Sequence, residues 1–547
     1  MRCNVRIKFR NNENSDFLVY ALHLREGLSE PYRAEVFLIS KRRFSPADLS
    51  QLLKEKDVSL FIEWMEEKKC VRRFLSGIVT SVRHEGLQSV SPQWLELGGQ
   101  KVCTRFRLVI EPRLVLLRYT RRTCDYRNTT PLETIKKVLE RHSITPVLDS
   151  NYIAFEKYTG KLRFIQADET DFEFISRLMA RYGISYTFVH SAVPGQGGAL
   201  GETSFYLSDG EQFPAYSELE FSGFAAESAQ NLDMEKRTMS FPFDMNAWSA
   251  EQGIWKLNGF STVDSIGVDH VKIGAFLPGA LQPVFSETGT TSAERSWELY
   301  DPPRGYSKNI ETDILKDELQ RSADACAAAL RMEKEQWLGE TSVPLAVPAA
   351  VLNISSFYSE DVNVKLPVRV IRDELVFRKD DASDTKSALN ISFECINFSN
   401  DRYEKRVCPS PLPERRERRK LKVREAVVCD PEGKIDAPDT FGRIVPSSNT
   451  SPEMPYLFMV RNELADSMED AVIDVAMTMP LGGKRSGLYR FPRVGDRVLI
   501  QIDCDRAFLL GYVPDTTGSF SEFTENGDQY ARDSALLRYT SNGDEGE

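Results

Sequence analysis

Gly482-Gly483-Lys484-Arg485 is the nearest the chain comes to a phosphate-binding loop, and it lacks both the earlier spaced glycine and the Ser or Thr that would ligate magnesium. It reads as a loop within a barrel. Four acids, Asp168, Glu169, Asp171 and Glu173, stand close enough for paired-carboxylate chemistry, but they fall at a helix start, where the helix dipole already favours negative charge. Tyr456 and Phe458 alternate along a strand and have the faces to stack on unpaired bases; with no basic residues between them, core packing is the better reading. The nine cysteines, Cys3, Cys70, Cys103, Cys124, Cys326, Cys395, Cys408, Cys429 and Cys504, include no CxxC pair, and the five histidines are scattered. They read as free thiols of a reducing compartment, without zinc-ligand spacing. GxSxG, HExxH and Walker patterns are missing. No catalytic residue, cofactor or metal site is expected.

Charge narrows the partners. A formal net charge of −11 opposes a general nucleic-acid binder, because phosphate neutralisation requires a basic surface. The best candidate for a local basic patch is Glu404 to Glu425, where Pro409, Pro411 and Pro413 precede Arg415, Arg416, Arg418, Arg419 and Lys420. Alternate prolines force extended backbone and the run has no apolar face, so it reads as an exposed linker. No stretch of about 18 apolar residues exists to span a bilayer, and the opening MRCNVRIKFRNNENSD carries charges where a signal peptide needs an apolar core. The chain is expected in the cytoplasm, or to leave by a route that reads no cleavable signal.

The elements that must position these residues are mostly strands. With 547 residues, 41% of them hydrophobic, the chain has material for several cores, roughly three or four domains at about 150 residues each. Short runs rich in β-branched and aromatic residues mark strands at Phe17–Leu24, Tyr32–Ile39, Val58–Ile62, Phe74–Val82, Phe106–Ile110, Ile184–His190 and Val368–Ile371. Three helices interrupt them. One follows Asn128-Thr129-Thr130 and Pro131, with Leu132, Ile135, Val138 and Leu139 at helical spacing. A second opens at Thr170 with Glu173 in the capping-box position, runs through Phe172, Ile175, Leu178, Met179 and Tyr182, and stops at Gly183. The third spans Asp317–Trp337 with a stripe of Ala323, Cys326 and Leu330. Between Asp233 and Pro303, with Trp248, Trp255 and Trp297 dispersed, irregular strands and long loops are expected.

Beyond the basic run, strands at Ala426–Cys429, Phe441–Val445, Tyr456–Val460, Ala471–Met477, Arg497–Ile502 and Ala507–Val513 fit a five-stranded barrel of the OB type. Gly442, Pro492, Gly495, Asp496 and Gly511 are its turn and neck positions. Pro492 fixes φ and Gly495 permits a tight turn before the strand from Arg497. The expected division is a strand-rich domain over 1–400, a Pro/Arg-rich linker over 401–425, the barrel over 426–515, and a short acidic segment over 516–547. That last stretch holds Asn526-Gly527-Asp528 and Asn542-Gly543-Asp544 turn signals around Leu536-Leu537, with too few apolar residues to pack alone.

Five segments in order carry a resemblance. They are Gly27–Val36 with Arg73–Val79, Arg107–Leu117 leading into Asp125–Leu139, Phe164–Tyr186, Asp439–Val445, and Pro492–Val498. Together they resemble the VgrG spike proteins of type VI secretion, similar in turn to contractile phage tail hub and needle proteins. Where that family's helix entry usually reads R-x-F-Q, this chain has Asp125-Tyr126-Arg127-Asn128. The resemblance implies a mainly β fold with a few covering helices: a hub-like domain of β-barrel subdomains over 1–400, a linker, an OB-fold barrel as needle base over 426–515, and a neck or the start of a β-helical stem over 516–547. It also implies a non-enzymatic homotrimer that docks on a hexameric tube protein and carries a PAAR-like tip and effectors. Baseplate proteins join these expected partners, nucleic acid does not, and membranes are met only by mechanical puncture. Such a spike is assembled in the cytoplasm and exported by the apparatus; a hub of a phage tail or phage-derived particle, or a hub with cell-wall hydrolase activity, are the alternatives. The 32 residues from 516 to 547 are too few for a long needle, so a short spike or a chain cut before its stem is expected.

Overall fold

The computed structural model describes residues 2–9, 17–40, 57–66, 69–89, 102–151, 153–155, 159, 162–191, 202–209, 213, 220–221, 232–233, 238–242, 257–268, 270–275, 284–289, 296–300, 312–355, 365–379, 387–397, 422–449, 457–463, 471–478, 481–482, 486–503, 506–513 and 537–540. Six antiparallel strands open the chain: β1 (Arg2–Phe9), β2 (Phe17–Gly27), β3 (Glu30–Ser40), β4 (Asp57–Glu66), β5 (Lys69–Ser89) and β6 (Val102–Glu111). They pair in the order β1-β4-β5-β6-β3-β2, and β2 continues the sheet onto Lys365–Lys379, which pairs with Ser387–Asn397. Alternation sets the faces: Leu22, Leu24, Val36, Leu38, Leu60, Ile62, Leu108 and Ile110 are buried. The opposite row carries Arg25, Arg33, Glu35 and Glu374, tied by ion pairs across strands, Arg25 to Glu374, Arg33 to Glu111 and Arg107 to Glu35. Bulges at Val19/Ala21, Val79/Ser81 and His84/Gly86 bend the sheet, and the Cys3 N–H donates to Ser387 Oγ at 2.9 Å, so its ends meet.

A second unit covers this barrel. It comprises β7 (Arg121–Thr129), α1 (Pro131–Arg141), β8 (Leu162–Thr170), α2 (Asp171–Tyr182), β9 (Ser185–Ser191) and β10 (Glu202–Ser208). Both helices begin in capping boxes, Thr130 with Glu133 and Thr170 with Glu173, and α2 ends on Gly183 at φ 64°. The α2 stripe differs from the expected one. Phe174, not Phe172, is fully buried, stacked on Tyr126 at 5.3 Å, because it lies one turn before Leu178; Phe172 sits to the side under the Arg118 guanidinium.

The third helix, α3 (Thr312–Lys334), packs Leu319, Ala323, Cys326 and Leu330 on Val271 and Ile273 of a three-stranded sheet formed by His270–Ala275, Val284–Gly289 and Ser296–Tyr300. It stops earlier than its composition suggests. Trp337 belongs to the following strand, Glu335–Thr341, where it stacks on Phe260 at 5.6 Å. Alternation, not helical spacing, places that side chain. The expected irregular region yields short strands at Thr238–Pro242 and Gly259–Asp264; Trp248 and Trp255 lie outside the described residues.

The C-terminal barrel has five strands: Lys422–Val427, Leu457–Arg461, Val472–Ala476, Arg497–Asp503 and Arg506–Tyr512. The first pairs with the fourth, the fourth with the fifth, the fifth in parallel with the third, and the third with the second. A Val428–Val460 bridge and a Cys429 N–H bond to the Met459 carbonyl close the ring, which is OB topology. Phe458, Val460, Ile473, Val475, Val498 and Ile500 fill it.

Two expectations are corrected here. Pairing starts at Lys422, ahead of Ala426. Phe441–Val445 is not a strand but a turn: the Phe441 N–H bonds back to the Ala437 carbonyl, Gly442 takes φ 71°, and Phe441 and Ile444 point outward. Gly482 pairs with Gly487 in a hairpin that Leu537–Thr540 joins. Gly483, Lys484, Arg485, Tyr456, the 404–421 run, Leu536 and the Asn526 and Asn542 turns lie outside the described residues. The chain is thus mainly β with a few covering helices.

Candidate functional site

The β7–β8 ribbon is buried on both faces, and that makes it the joint of the molecule. Its inner row, Tyr126, Leu162 and Phe164, packs with α1 and α2 in the large N-terminal core. The outer row presents Thr123, Asp125, Arg127, Arg163, Ile165 and Ala167 to the C-terminal barrel, and Ile165 is fully buried in the barrel's own apolar cluster.

Charge locks the contact. Arg163 donates to Asp125 Oδ1 from Nε at 2.8 Å and to Oδ2 from Nη2 at 2.7 Å, while Nη2 also reaches the Asp474 carbonyl at 2.7 Å. Arg127 Nε donates to Asp125 Oδ2 at 3.0 Å and lies 3.4 Å from Asp474 Oδ2; its Nη2 donates to the Val472 carbonyl. Asp474 is held from the barrel side by Ser447 Oγ at 2.7 Å and Asn449 Nδ2 at 2.5 Å, and its own N–H donates to Asp125 at 3.3 Å. Asn462 Nδ2 adds a bond of 2.6 Å to the Thr123 carbonyl. Burial alone would raise the Asp125 carboxyl, but Arg163 and then Arg127 outweigh it and hold it below the ordinary carboxylate range. Such a paired, ionised carboxylate fixes two bodies relative to each other; it offers no proton and no open oxygen for a reaction.

Most of the turn residues expected from sequence meet at one corner of the barrel. Asp496 Oδ2 accepts the Arg493 N–H at 3.0 Å, Gly495 takes φ 98° and donates to the Val428 carbonyl at 2.9 Å, and Gly442 donates to the Val494 carbonyl at 2.9 Å. Pro492 enters this corner, so four of the five converge; Gly511 stands apart on the fifth strand, opposite Leu499 at a bulge. The acids at the start of α2 each have a partner. Asp168 pairs with Arg121 at 2.7 Å, Glu169 with Arg177 at 2.8 Å, Asp171 with Gln166 at 2.8 Å and His142 at 2.6 Å, and Glu173 closes the capping box. Cys3, Cys124, Cys326, Cys395 and Cys429 are buried and unbridged, and burial pushes the Cys429 thiol up to about 12. Among the described residues no three His, Cys, Asp or Glu side chains converge as metal ligands.

Sequence reading did not single out Asp125, Arg163 or Asp474. The available signal was Asp125-Tyr126-Arg127-Asn128, charged where the resembled family carries another pattern: two of those residues build the joint.

Known proteins resemble this chain in sequence and fold. A family model described as the phage tail baseplate hub (GPD) matches residues 25–369. The type VI secretion system spike protein VgrG5 of Pseudomonas aeruginosa is 28% identical over 181 residues, 33% of this chain and 20% of that protein. VgrG1b of the same organism is 22% identical over 502 residues, 89% of this chain and 57% of its own length. The chain therefore spans between a fifth and somewhat over half of these curated relatives. In structure, an E. coli protein described as a type VI secretion component similar to the T4 tail proteins gp27 and gp5 aligns with a TM-score of 0.52 at 14% identity, covering 93% of this chain and 100% of that one. A chain of the Francisella PdpA–VgrG complex aligns with a TM-score of 0.50 at 10% identity, covering 94% and 78%. These likenesses establish a shared fold.

Proposed function

The chain belongs to the phage tail baseplate hub (GPD) family, and from that premise we propose that it is the spike hub of a contractile injection machine of the type VI secretion kind, working as a homotrimer. Three copies surround one axis, the hub barrels dock on a hexameric tube, and the C-terminal barrels gather on the axis below them. A PAAR-like tip and effectors ride on this assembly, baseplate proteins hold it before firing, and it leaves the cell through the apparatus. Contraction of a sheath drives it through a target membrane. The role is mechanical and uses no catalytic site.

The observation that carries this reading is the uneven exterior of the C-terminal barrel. Its second and third strands are fastened to the hub through Asn462 and Asp474. The first, fourth and fifth strands turn outward Val423, Leu499, Phe508 and Leu510, with Val423 55% and Leu510 50% exposed. These apolar residues stand around one exposed ion pair, Arg497–Glu425 at 2.6 Å, on the outside of a barrel already filled inside; such a face is suited to a symmetric partner, and three copies sharing an axis would cover it. Leu510→Asp tests this. The variant is expected to keep the fold and to lower the mass of the assembly toward that of one protomer in light scattering; a trimer of unchanged stability would refute the interface.

A second reading, a hub of a phage tail or phage-derived particle, is favoured by the description of the matching family. Neighbouring genes for an ATPase and a membrane complex, as against capsid genes, separate the two.

A further inference from the structure

A second buried charge cluster lies in the first barrel, away from the joint. Arg73 on β5, with a side chain 1% exposed, donates to Asp373 Oδ2 from both Nη1 and Nη2 at 3.0 Å, and Nη2 also reaches Glu26 Oε2 on β2. His190 Nε2 on β9 lies 3.4 Å from Glu26 Oε1, and its Nδ1 is 2.9 Å from Thr203 Oγ1 on β10. The Thr203 hydroxyl donates to the Ser76 carbonyl at 2.6 Å, which also accepts from Tyr32 on β3, whose ring meets His190 edge-on at 5.0 Å. Two carboxyl groups, 3% and 0% exposed, thus share one guanidinium at the point where the β9–β10 hairpin enters the barrel.

The sharing is unequal. Each carboxyl keeps one buried oxygen without a hydrogen bond, Glu26 Oε1 and Asp373 Oδ1, but Glu26 Oε1 lies 3.4 Å from His190 Nε2 as well as sharing Arg73, whereas Asp373 meets Arg73 through Oδ2. A charged oxygen left bare in an apolar interior costs more than a neutral one, so Asp373 is the member suited to keep a proton. The other groups do not relieve it. Tyr32 is held protonated by burial and by Glu26, Glu111 on β6 is engaged by Thr80 and Arg33, and Arg369 lies over the Phe213 ring.

We propose that Asp373 is a protonation latch: with its proton it ties the Lys365–Lys379 strand to β5 and β2, and without it two buried carboxylates compete for Arg73 and the barrel loosens. The charge balance agrees. Burial, opposed by Arg73 and reinforced by Glu26, raises the Asp373 carboxyl from 3.8 to about 7; at Glu26 burial is outweighed by Arg73 and His190, which lower it to about 2. A raised acid contributes stability that is complete below its ordinary value and is lost as pH rises through the folded value. The barrel is therefore tighter in mildly acidic surroundings than in neutral or alkaline ones, opposite to the usual effect of a paired carboxylate.

The test compares thermal unfolding of the full chain and of Asp373→Asn between about pH 4 and about pH 8. The difference in Tm, variant minus wild type, is expected to grow as pH rises through this window; a difference that is constant or shrinks overturns the proposal. A pH-difference infrared spectrum of the wild-type chain does not depend on the variant folding. A protonated-carboxyl band that bleaches with a midpoint near the folded value supports the latch, and no such band above about pH 5 overturns it.

Discussion

Asp125 shows what a single residue does in this molecule. Its two oxygens hold Arg163 and Arg127 and receive the N–H of Asp474, which lies 349 positions away in the chain. Replacing it with Ala strands two arginines in a buried joint, and removing one member of a buried pair typically costs about 3–5 kcal/mol. The expected outcome for Asp125→Ala is a lower unfolding midpoint together with faster proteolytic separation of hub and barrel. Because its carboxyl is lowered, its stabilising effect is present above the ordinary carboxylate value and is lost as pH falls below it, a direction opposite to that of Asp373. In the sequence Asp125 and Arg127 stood out only as a charged departure from the resembled family's pattern, and their role was not legible. Spacing shows only local relations, and the pairing of Asp125 with Asp474 exists only once two distant ribbons have met.

At the scale of elements the sequence was far more readable, because strand and helix periods are local. Alternation located β2 to β6, and Thr170 with Glu173 located the start of α2 to the residue. Thr170→Ala removes the acceptor for the Glu173 N–H at 3.1 Å and is expected to cost about 1 kcal/mol in chemical denaturation. The misreadings are equally physical. Phe441–Val445 has a strand's composition but turns, because Gly442 and the Ala437 carbonyl settle the backbone; Trp337 lies beyond the end of a helix whose composition continues past it. Phe172 and Phe174 are both apolar, and only contact with Tyr126 decides which is core.

For the whole molecule, motif order was the useful signal. Segments spread from Gly27 to Val498 resembled one family in the right sequence, and the family match over residues 25–369 and the closed C-terminal barrel agree with them. What composition could not reveal is how the parts are oriented: that one side of the barrel is clamped to the hub while Val423 and Leu510 are left outward. That asymmetry leaves an outer face for a partner, which a fully covered barrel would not offer. The most direct measurement is the mass of the full chain in solution by light scattering. A value near three times 62.2 kDa is predicted, and a strict monomer at high concentration would contradict the account.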